Sequence, residues 1–571
     1  MESYLSNYTR WLAAGRLTEA EKAELRGIEG DDAELRMRFS HYLSFGTAGL
    51  RGVMKVGMNA MNTHTVAYAT QALAEIIRRE GRSAEGVVIA YDCRNHSEEF
   101  AKTAASVLAA ADIPVYLFDE LRPTPELSFA LRRLHCVAGI NITASHNPRQ
   151  YNGYKAYWDD GAQLPPEHAD AVAAVMESLD IFEDVHFMDY DEALRIGKIT
   201  LLGRDMDEAY LAEVERQAVN PRAVREVADS LKIVYSPLHG TGYRLVPEIL
   251  TRIGLQSLYT VPEQMVIDGD FPTVEKPNPE YRAAFDLGVV IADRVGSDLV
   301  IATDPDADRV GVVTRTADGS FMTITGNQMG ALLLDYILTA YEETGSLPSD
   351  PFVVKTIVTT ELAAKICASH GVTIHNVLTG FKFIGEVIKD YEQRGYGHFI
   401  LGFEESYGYL KGTYARDKDA VVATMLIVEM TAYYKRRGMT LADALNSLYD
   451  RYGYSFEANA EVYMEGADGN DRMAALMESL RNPAPAEIAG RAVVRFGDYQ
   501  AAVITDLVTG NTTPTGLPRS NVLSFALENG DVIVVRPSGT EPKIKFYFML
   551  SAADRPSAES AMAEYRKAMG V

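Results

Sequence analysis

Three times in this chain a near-continuous apolar run gives way to a polar turn, a stretch with helical periodicity and a second apolar run. The first copy has strands over 87–91 and 115–118 with a helix near 98–111. The second has strands over 231–235 and 257–261 with a helix near 245–253, and the third has strands over 352–356 and 372–377 with a helix near 361–370. A switch from period 2 or continuous apolarity to period 3.6 and back marks a β-α-β unit. Three such units, about 120–145 residues apart, predict three similar mixed α/β domains in series. A chain of 571 residues is too long for one hydrophobic core, which agrees with several domains.

The stretch from about 452 onward differs. It has short strands over 532–536 and 544–548 and a closing helix over 558–569, and it predicts a smaller C-terminal α+β domain. The first forty or so residues, rich in Ala, Glu, Leu and Arg, read as helices laid on the first domain. The expected divisions are 1–205, 206–318, 319–448 and 449–571.

Charge and cysteine usage narrow the function classes. With 55 basic and 79 acidic residues the net charge is 55 − 79 = −24, which repels nucleic acid and anionic membranes and argues against both as partners. Three scattered cysteines, Cys93, Cys136 and Cys367, make neither a disulfide framework nor a Cys-x-x-Cys metal motif and point to a reducing compartment. The N-terminus lacks the basic and apolar regions of a signal peptide, and no apolar run is long enough to span a bilayer. A cytoplasmic location is expected.

Four segments carry chemistry. The strand-like run 137–143 breaks at Ala144-Ser-His-Asn-Pro148, where Pro148 disfavours helix at Asn147. Ser145 is therefore expected on a tight, exposed turn at a strand end, where α/β folds gather binding residues. Taken alone it reads as a turn serine, because a hydroxyl needs a base or a charged partner to act as a nucleophile. No Gly-x-Ser-x-Gly elbow surrounds it.

A second apolar run, 299–303, leads into Asp304-Pro-Asp-Ala-Asp-Arg309. Three carboxylates this close repel one another unless a cation joins them, and an all-oxygen set suits Mg²⁺ or Ca²⁺. A calcium-binding EF-hand loop needs Gly at its sixth position and Glu at its twelfth; counted from Asp304, those positions hold Arg309 and Arg315. Mg²⁺, with coordination positions left for a phosphate oxygen and water, is the reading favoured over a solvated acidic turn without an ion.

Near the C-terminus, Arg536-Pro-Ser-Gly-Thr-Glu-Pro-Lys543 combines a guanidinium fork, hydroxyl donors and a glycine, as a phosphate cradle does. An ordinary turn is the competing reading. It is not a Walker loop, and Gly240-Thr-Gly242 does not complete a dinucleotide fingerprint, since Leu245 stands where the third glycine belongs. Within the third unit, Gly402-Phe-Glu-Glu-Ser-Tyr-Gly408 sets carboxylates beside a hydroxyl, a pattern suited to sugar hydroxyls but common on solvated faces. Arg416-Asp-Lys-Asp419 then offers Lys418 as a proton carrier, provided its neighbours lower its pKa.

In this order, from about Phe45-Gly-Thr-Ala-Gly-Leu-Arg-Gly52 to the end, these segments together resemble the α-D-phosphohexomutase family, within it the phosphoglucomutase branch. The resemblance implies that all four domains are grouped around a central cleft and that Ser145 carries a phosphoryl group. It implies that Asp304, Asp306 and Asp308 hold Mg²⁺ with that phosphoserine, and that Arg309 supports its charge. Arg51 and His146 would line the catalytic loop, and Lys155 and Lys418 are the acid/base candidates. Thr379, Gly380, Glu404 and Ser406 would hold the sugar, and Arg536, Ser538, Gly539, Thr540 and Lys543 its non-reacting phosphate. The implied reaction interconverts glucose 1-phosphate and glucose 6-phosphate, with glucose 1,6-bisphosphate as intermediate and activator. Pentose and mannose phosphates are the alternative substrates, and a silent sugar-phosphate sensor is a further one. The implied partner is a small sugar phosphate, and the expected assembly is a monomer or weak homodimer. Ala307 replaces a glycine found in many family members, a change expected to matter little.

Overall fold

The computed structural model describes residues 3–46, 49–464, 469–538 and 543–571. Three of its four sheets share one plan, which follows from the β-α-β repeats. In each, the first strand of the unit lies at the centre with parallel partners on both sides, and a hairpin then adds an antiparallel strand beyond the last of these. The first sheet places Val87–Tyr91 between Val115–Phe118 and Ala138–Ile142, with Tyr151–Trp158 antiparallel to the latter. The second places Lys232–Ser236 between Ser257–Thr260 and Leu299–Thr303, with Val310–Arg315 antiparallel. The third places Pro351–Thr356 between Thr373–Val377 and His398–Glu404, with Gly408–Leu410 antiparallel.

This plan positions the chemistry. The loops holding Ser145, the three aspartates and the Glu-Glu-Ser sequence all join the last parallel strand to its antiparallel neighbour, so they are equivalent positions of one repeated unit. The parallel strands read as unbroken apolar runs because helices cover both faces; Val87–Tyr91 and Leu299–Thr303 are buried throughout.

The fourth sheet is antiparallel, in the order Tyr454–Tyr463, Lys543–Ala552, Val532–Pro537, Leu523–Leu527, Arg491–Asp498, Val503–Asp506, Thr512–Pro514. Its closing helix, Arg555–Met569, begins earlier than its apolar period indicates because Asp554 caps it. The N-terminal segment forms the helices Tyr4–Ala13, Glu19–Gly27 and Asp32–Phe39, as expected.

The expected division points fall at the following places in the fold. Position 205/206 falls inside the helix Arg204–Glu215, and 448/449 inside Leu441–Tyr452. Position 318/319 falls in the turn between Val310–Arg315 and Phe321–Ile324, strands of one hairpin.

One continuous core joins the first three units, running from Phe129 and Tyr235 to Leu332 and Val428. At its centre is the helix Ala420–Lys435, in which every residue from Ala420 to Tyr434 is buried. Such a helix needs no polar face, and its one carboxylate, Glu429, accepts bonds from the Val219 and Asn220 amides and the Tyr336 hydroxyl. The fourth unit has its own core around Phe525, Ile533 and Phe546. It meets the third unit through Val358, Leu378, Val534 and Tyr547. Among the described residues no helix is long and apolar enough to cross a membrane.

Candidate active site

Ser145 follows the strand Ala138–Ile142 with φ of 51°, a left-handed conformation that is uncommon outside glycine. The turn is tight, but it is not exposed as its sequence suggests: Ser145 is 4% accessible. The turn faces the second unit and is covered by it, a contact 159 residues distant in the chain. Ser145 Oγ donates to Asp304 Oδ2 at 2.8 Å and lies 3.1 Å from His146 Nδ1. Burial, followed by the charges of Arg309 and Arg51, holds His146 well below the ordinary histidine range, so the ring is neutral at pH 7. Arg51, on the strand Leu50–Val53, reaches Asn147 Oδ1 at 3.4 Å.

The aspartate loop is buried: Asp304, Asp306 and Asp308 are each at most 2% accessible. One oxygen from each comes within 4.8 Å of the others. Asp304 Oδ1 accepts from the Asp308 and Arg309 amides, leaving Oδ2 on Ser145. Asp306 Oδ2 accepts from Lys155 Nζ at 2.7 Å and Thr124 Oγ1 at 2.9 Å. Asp308 Oδ2 lies 3.4 Å from Lys155 Nζ and 3.3 Å from Lys418 Nζ. The remaining oxygens, Asp306 Oδ1 and Asp308 Oδ1, are buried without a hydrogen-bond partner. Orphaned buried oxygens are rare and call for a missing partner. Two of them, with hard donors only, fit a metal ion.

The electrostatics agree. Burial and the neighbouring Asp306 and Asp308 push the Asp304 carboxyl well above its ordinary value, while Lys155 pulls Asp306 down against its burial. Arg309 bridges to Glu280 at 2.6 Å and lies 3.8 Å from Asp308 Oδ1. The lowered pKa on which the sequence reading of Lys418 depends is not found. Burial alone would lower it, but Asp308, Asp417 and Glu404 outweigh burial and raise it, so it holds its proton firmly. Lys155 is raised likewise by Asp306 and Asp308 against its burial.

Among the sugar-contact candidates, Glu404 ends the strand His398–Glu404, and its Oε1 accepts from the Gly380 amide at 2.8 Å. Thr379 and Gly380 directly precede the helix Phe381–Arg394, so the segments 379–380 and 404–406 share one edge. Glu405 is pushed up to about 7 by burial and by Glu404, and Arg536 of the fourth unit acts on it in the opposite sense. Arg536 thus faces this loop, its Nε buried without a partner. Lys543, by contrast, bonds Glu461 Oε2 at 3.1 Å and the Tyr463 hydroxyl at 3.2 Å. The Ser538 amide donates to Lys543 O at 2.8 Å. Gly539 and Thr540 lie outside the described residues.

Sequence reasoning missed three residues that hold the site together. Arg94, 3% accessible, donates to the carbonyls of Ser145, Asn147, Pro148 and Tyr151 and so fixes the nucleophile turn. Asp92, 3.3 Å from Arg94 Nε, accepts the Thr143 hydroxyl at 2.6 Å. Asp417 takes Lys418 Nζ at 2.9 Å and the Tyr157 hydroxyl at 2.9 Å. The signal for Arg94 and Asp92 was present: charged residues directly after the buried central strand Val87–Tyr91, beside the strand that ends at the nucleophile turn.

The family description "Phosphoglucomutase/phosphomannomutase" matches this chain domain by domain. Its alpha/beta/alpha domain I covers residues 42–181, domain II 208–319, domain III 325–452, and its C-terminal domain 462–561. A phosphoglucomutase of Staphylococcus saprophyticus is 36% identical over 533 residues, 93% of each chain. One from Staphylococcus haemolyticus is 37% identical over 90% of this chain and 91% of its own. Among solved structures, the open form of the Paramecium exocytosis-sensitive phosphoprotein parafusin superposes with a TM-score of 0.71 at 17% identity, over 94% of this chain and 95% of that one; at that identity the likeness speaks for the fold. With four domain models in order and relatives spanning nine-tenths of its length, the chain belongs to the phosphoglucomutase/phosphomannomutase family, the α-D-phosphohexomutases.

Proposed function

We propose that this phosphohexomutase interconverts α-D-glucose 1-phosphate and glucose 6-phosphate, with Ser145 as the phosphoryl carrier. The observation that carries the reading is the Ser145 Oγ–Asp304 bond of 2.8 Å beside two carboxylate oxygens that lack partners. Asp304, Asp306 and Asp308 would hold Mg²⁺ with the phosphorylated serine, and the ion would offset charge on the phosphoryl oxygens.

In the first half-reaction the bond from Ser145 Oγ to phosphorus breaks and a bond from phosphorus to the free sugar hydroxyl oxygen forms. The hydroxyl proton leaves to a base, and Oγ regains a proton. The glucose 1,6-bisphosphate so formed turns round and returns its other phosphoryl group to Ser145. Lys155 and Lys418 are the acid/base candidates, and in the state described nearby carboxylates keep both protonated. Arg309, Arg51 and neutral His146 line the transferred group. Thr379, Gly380, Glu404 and Ser406 grip the sugar; Arg536, Ser538, Gly539, Thr540 and Lys543 take whichever phosphate is not reacting. That loop must accept both ends of the substrate, which suits generic anion donors.

The test is a coupled assay with Mg²⁺ and traces of glucose 1,6-bisphosphate across glucose, mannose, glucosamine and ribose phosphates. Glucose 1-phosphate is expected to give the highest kcat/KM, and a higher value for any other sugar overturns the glucose assignment. Ser145→Ala is expected to fold and be inactive; full activity overturns the carrier role. A fraction of wild-type protein should carry one extra phosphate by intact mass, and substrate should chase it off.

A further inference from the structure

Thr124 belongs to none of the loops described above, yet it contacts the aspartate loop twice. It opens the helix Thr124–Leu134, between Pro123 and Pro125, so its amide is a donor with no partner inside the helix. That amide donates to Asp306 O at 2.9 Å, and Thr124 Oγ1 donates to Asp306 Oδ2 at 2.9 Å. Behind it, Asn141 Nδ2 donates to Thr124 Oγ1 at 2.7 Å. Thr124 and Asn141 are both fully buried.

The proton count gives this chain a direction. A side-chain amide nitrogen only donates, so Thr124 Oγ1 accepts from Asn141. Its single proton is then free for Asp306, whose carboxylate only accepts. If the amide of Asn141 faced the other way, two acceptors would compete for one hydroxyl proton. Asp306 Oδ2 consequently takes two donors, Thr124 and Lys155, while Oδ1 takes none. A lysine on a flexible stem can follow a rotating carboxylate; a hydroxyl at the first turn of a buried helix cannot. Asn141 lies on the strand that leads to Ser145, so the relay also ties the nucleophile strand to the aspartate loop of the next unit.

We infer that Thr124, itself oriented by Asn141, is a positioning residue that locks the Asp306 carboxylate so that Oδ1 is presented to a divalent cation. This inference rests on the proposal that the aspartate triad binds such a cation. Partners that orient a metal ligand typically contribute about 10–100-fold in metal affinity or activity.

The experiment is Mn²⁺ binding, by electron paramagnetic resonance or calorimetry, without sugar phosphate, on intact wild type, Asp306→Asn, Thr124→Val, Thr124→Ser and Asn141→Val. Wild type should bind one Mn²⁺, and Asp306→Asn should abolish it. Thr124→Val should bind about 10–100-fold more weakly. Thr124→Ser, which keeps the hydroxyl, should stay within about threefold of wild type. In Thr124→Val, rising Mg²⁺ should restore kcat, with the KM for the metal raised. If wild type binds no Mn²⁺, or Asp306→Asn binds it unchanged, the metal reading itself fails. If wild type binds and Thr124→Val binds equally well, the positioning role is overturned, as it is if serine and valine lose affinity alike. Should Thr124→Val not fold, Asn141→Val decides: about a threefold to tenfold loss supports the relay, and unchanged affinity overturns it.

Discussion

Replacing Gly408 by alanine tests whether Lys418 must stand where it does. A methyl group at Gly408 would lie 2.1 Å from Lys418 Cδ and 2.5 Å from Cγ. Carbon atoms pack at about 3.5–4.0 Å, so the lysine stem must retreat by about 1.5 Å. Neither backbone can give way easily. Gly408 pairs with Glu404 across the hairpin, and Lys418 is followed by Asp419, whose carboxylate caps the central buried helix through the Val421 and Val422 amides. The displacement therefore falls on Lys418 Nζ, now 2.9 Å from Asp417 Oδ1 and 3.3 Å from Asp308 Oδ2. If Lys418 contacts the reacting atoms as proposed, a shift of about 1 Å costs about 100-fold in rate, about 2.7 kcal/mol of barrier. Overpacking adds about 1–3 kcal/mol of destabilisation. The assay is steady-state turnover coupled to a glucose 6-phosphate dehydrogenase, with thermal melting alongside. In a Lys418→Ala background the Gly408→Ala change should cost little further activity, since the displaced group is already gone. A kcat within about threefold of wild type, or an equal loss in both backgrounds, refutes the reasoning.

Other outcomes follow from the same contacts. Gly153→Ala would set a methyl group 2.5 Å from the Thr143 carbonyl and 2.9 Å from the Leu50 carbonyl; a loss of about 1–3 kcal/mol is expected with reduced phosphate on Ser145 by intact mass, and unchanged phosphorylation counts against the close approach. Asp304 has a folded pKa raised above the ordinary 3.8, so between those two values the folded protein holds a proton that the unfolded chain has lost. Its contribution to stability declines as pH rises through that window. A cation must displace the same proton, so Mn²⁺ affinity should fall as pH is lowered into the window, and a pH-independent Kd would show that Asp304 is not a ligand.

The repeats were readable because strand and helix periods are local, and so were the four loops, each of which interrupts or ends an apolar run. What joins the loops was not. Ser145 meets Asp304 across 159 residues of chain, and Lys155 meets Asp306 across 151; no local pattern encodes those distances. The reading of Ser145 as exposed failed for this reason, since the covering unit begins only after residue 200. Whether the neighbours of Lys418 lower its pKa could not be read from the sequence, because Asp308, which raises it, comes from another sheet. Thr124 gave no signal, being one threonine between two prolines. Ala307 now has a conformational meaning: its φ is 50°, so the alanine sits in a backbone region that costs about 1 kcal/mol relative to glycine.

The net charge of −24 leaves open how such a protein attracts phosphate, and the ion pairs around the triad supply the answer. Lys155 and Lys418 are spent on Asp306 and Asp308 in the state described, while Arg309 is spent on Glu280. These are the same carboxylates that a divalent cation would claim. A cation held there would weaken the pull of Asp306 and Asp308 on the lysines, with Lys418 keeping Asp417 at 2.9 Å, and would leave more of their positive charge for a sugar phosphate. The overall acidity then matters little, because exposed charges beyond about 10 Å are screened at ordinary ionic strength, whereas the buried lysines are not.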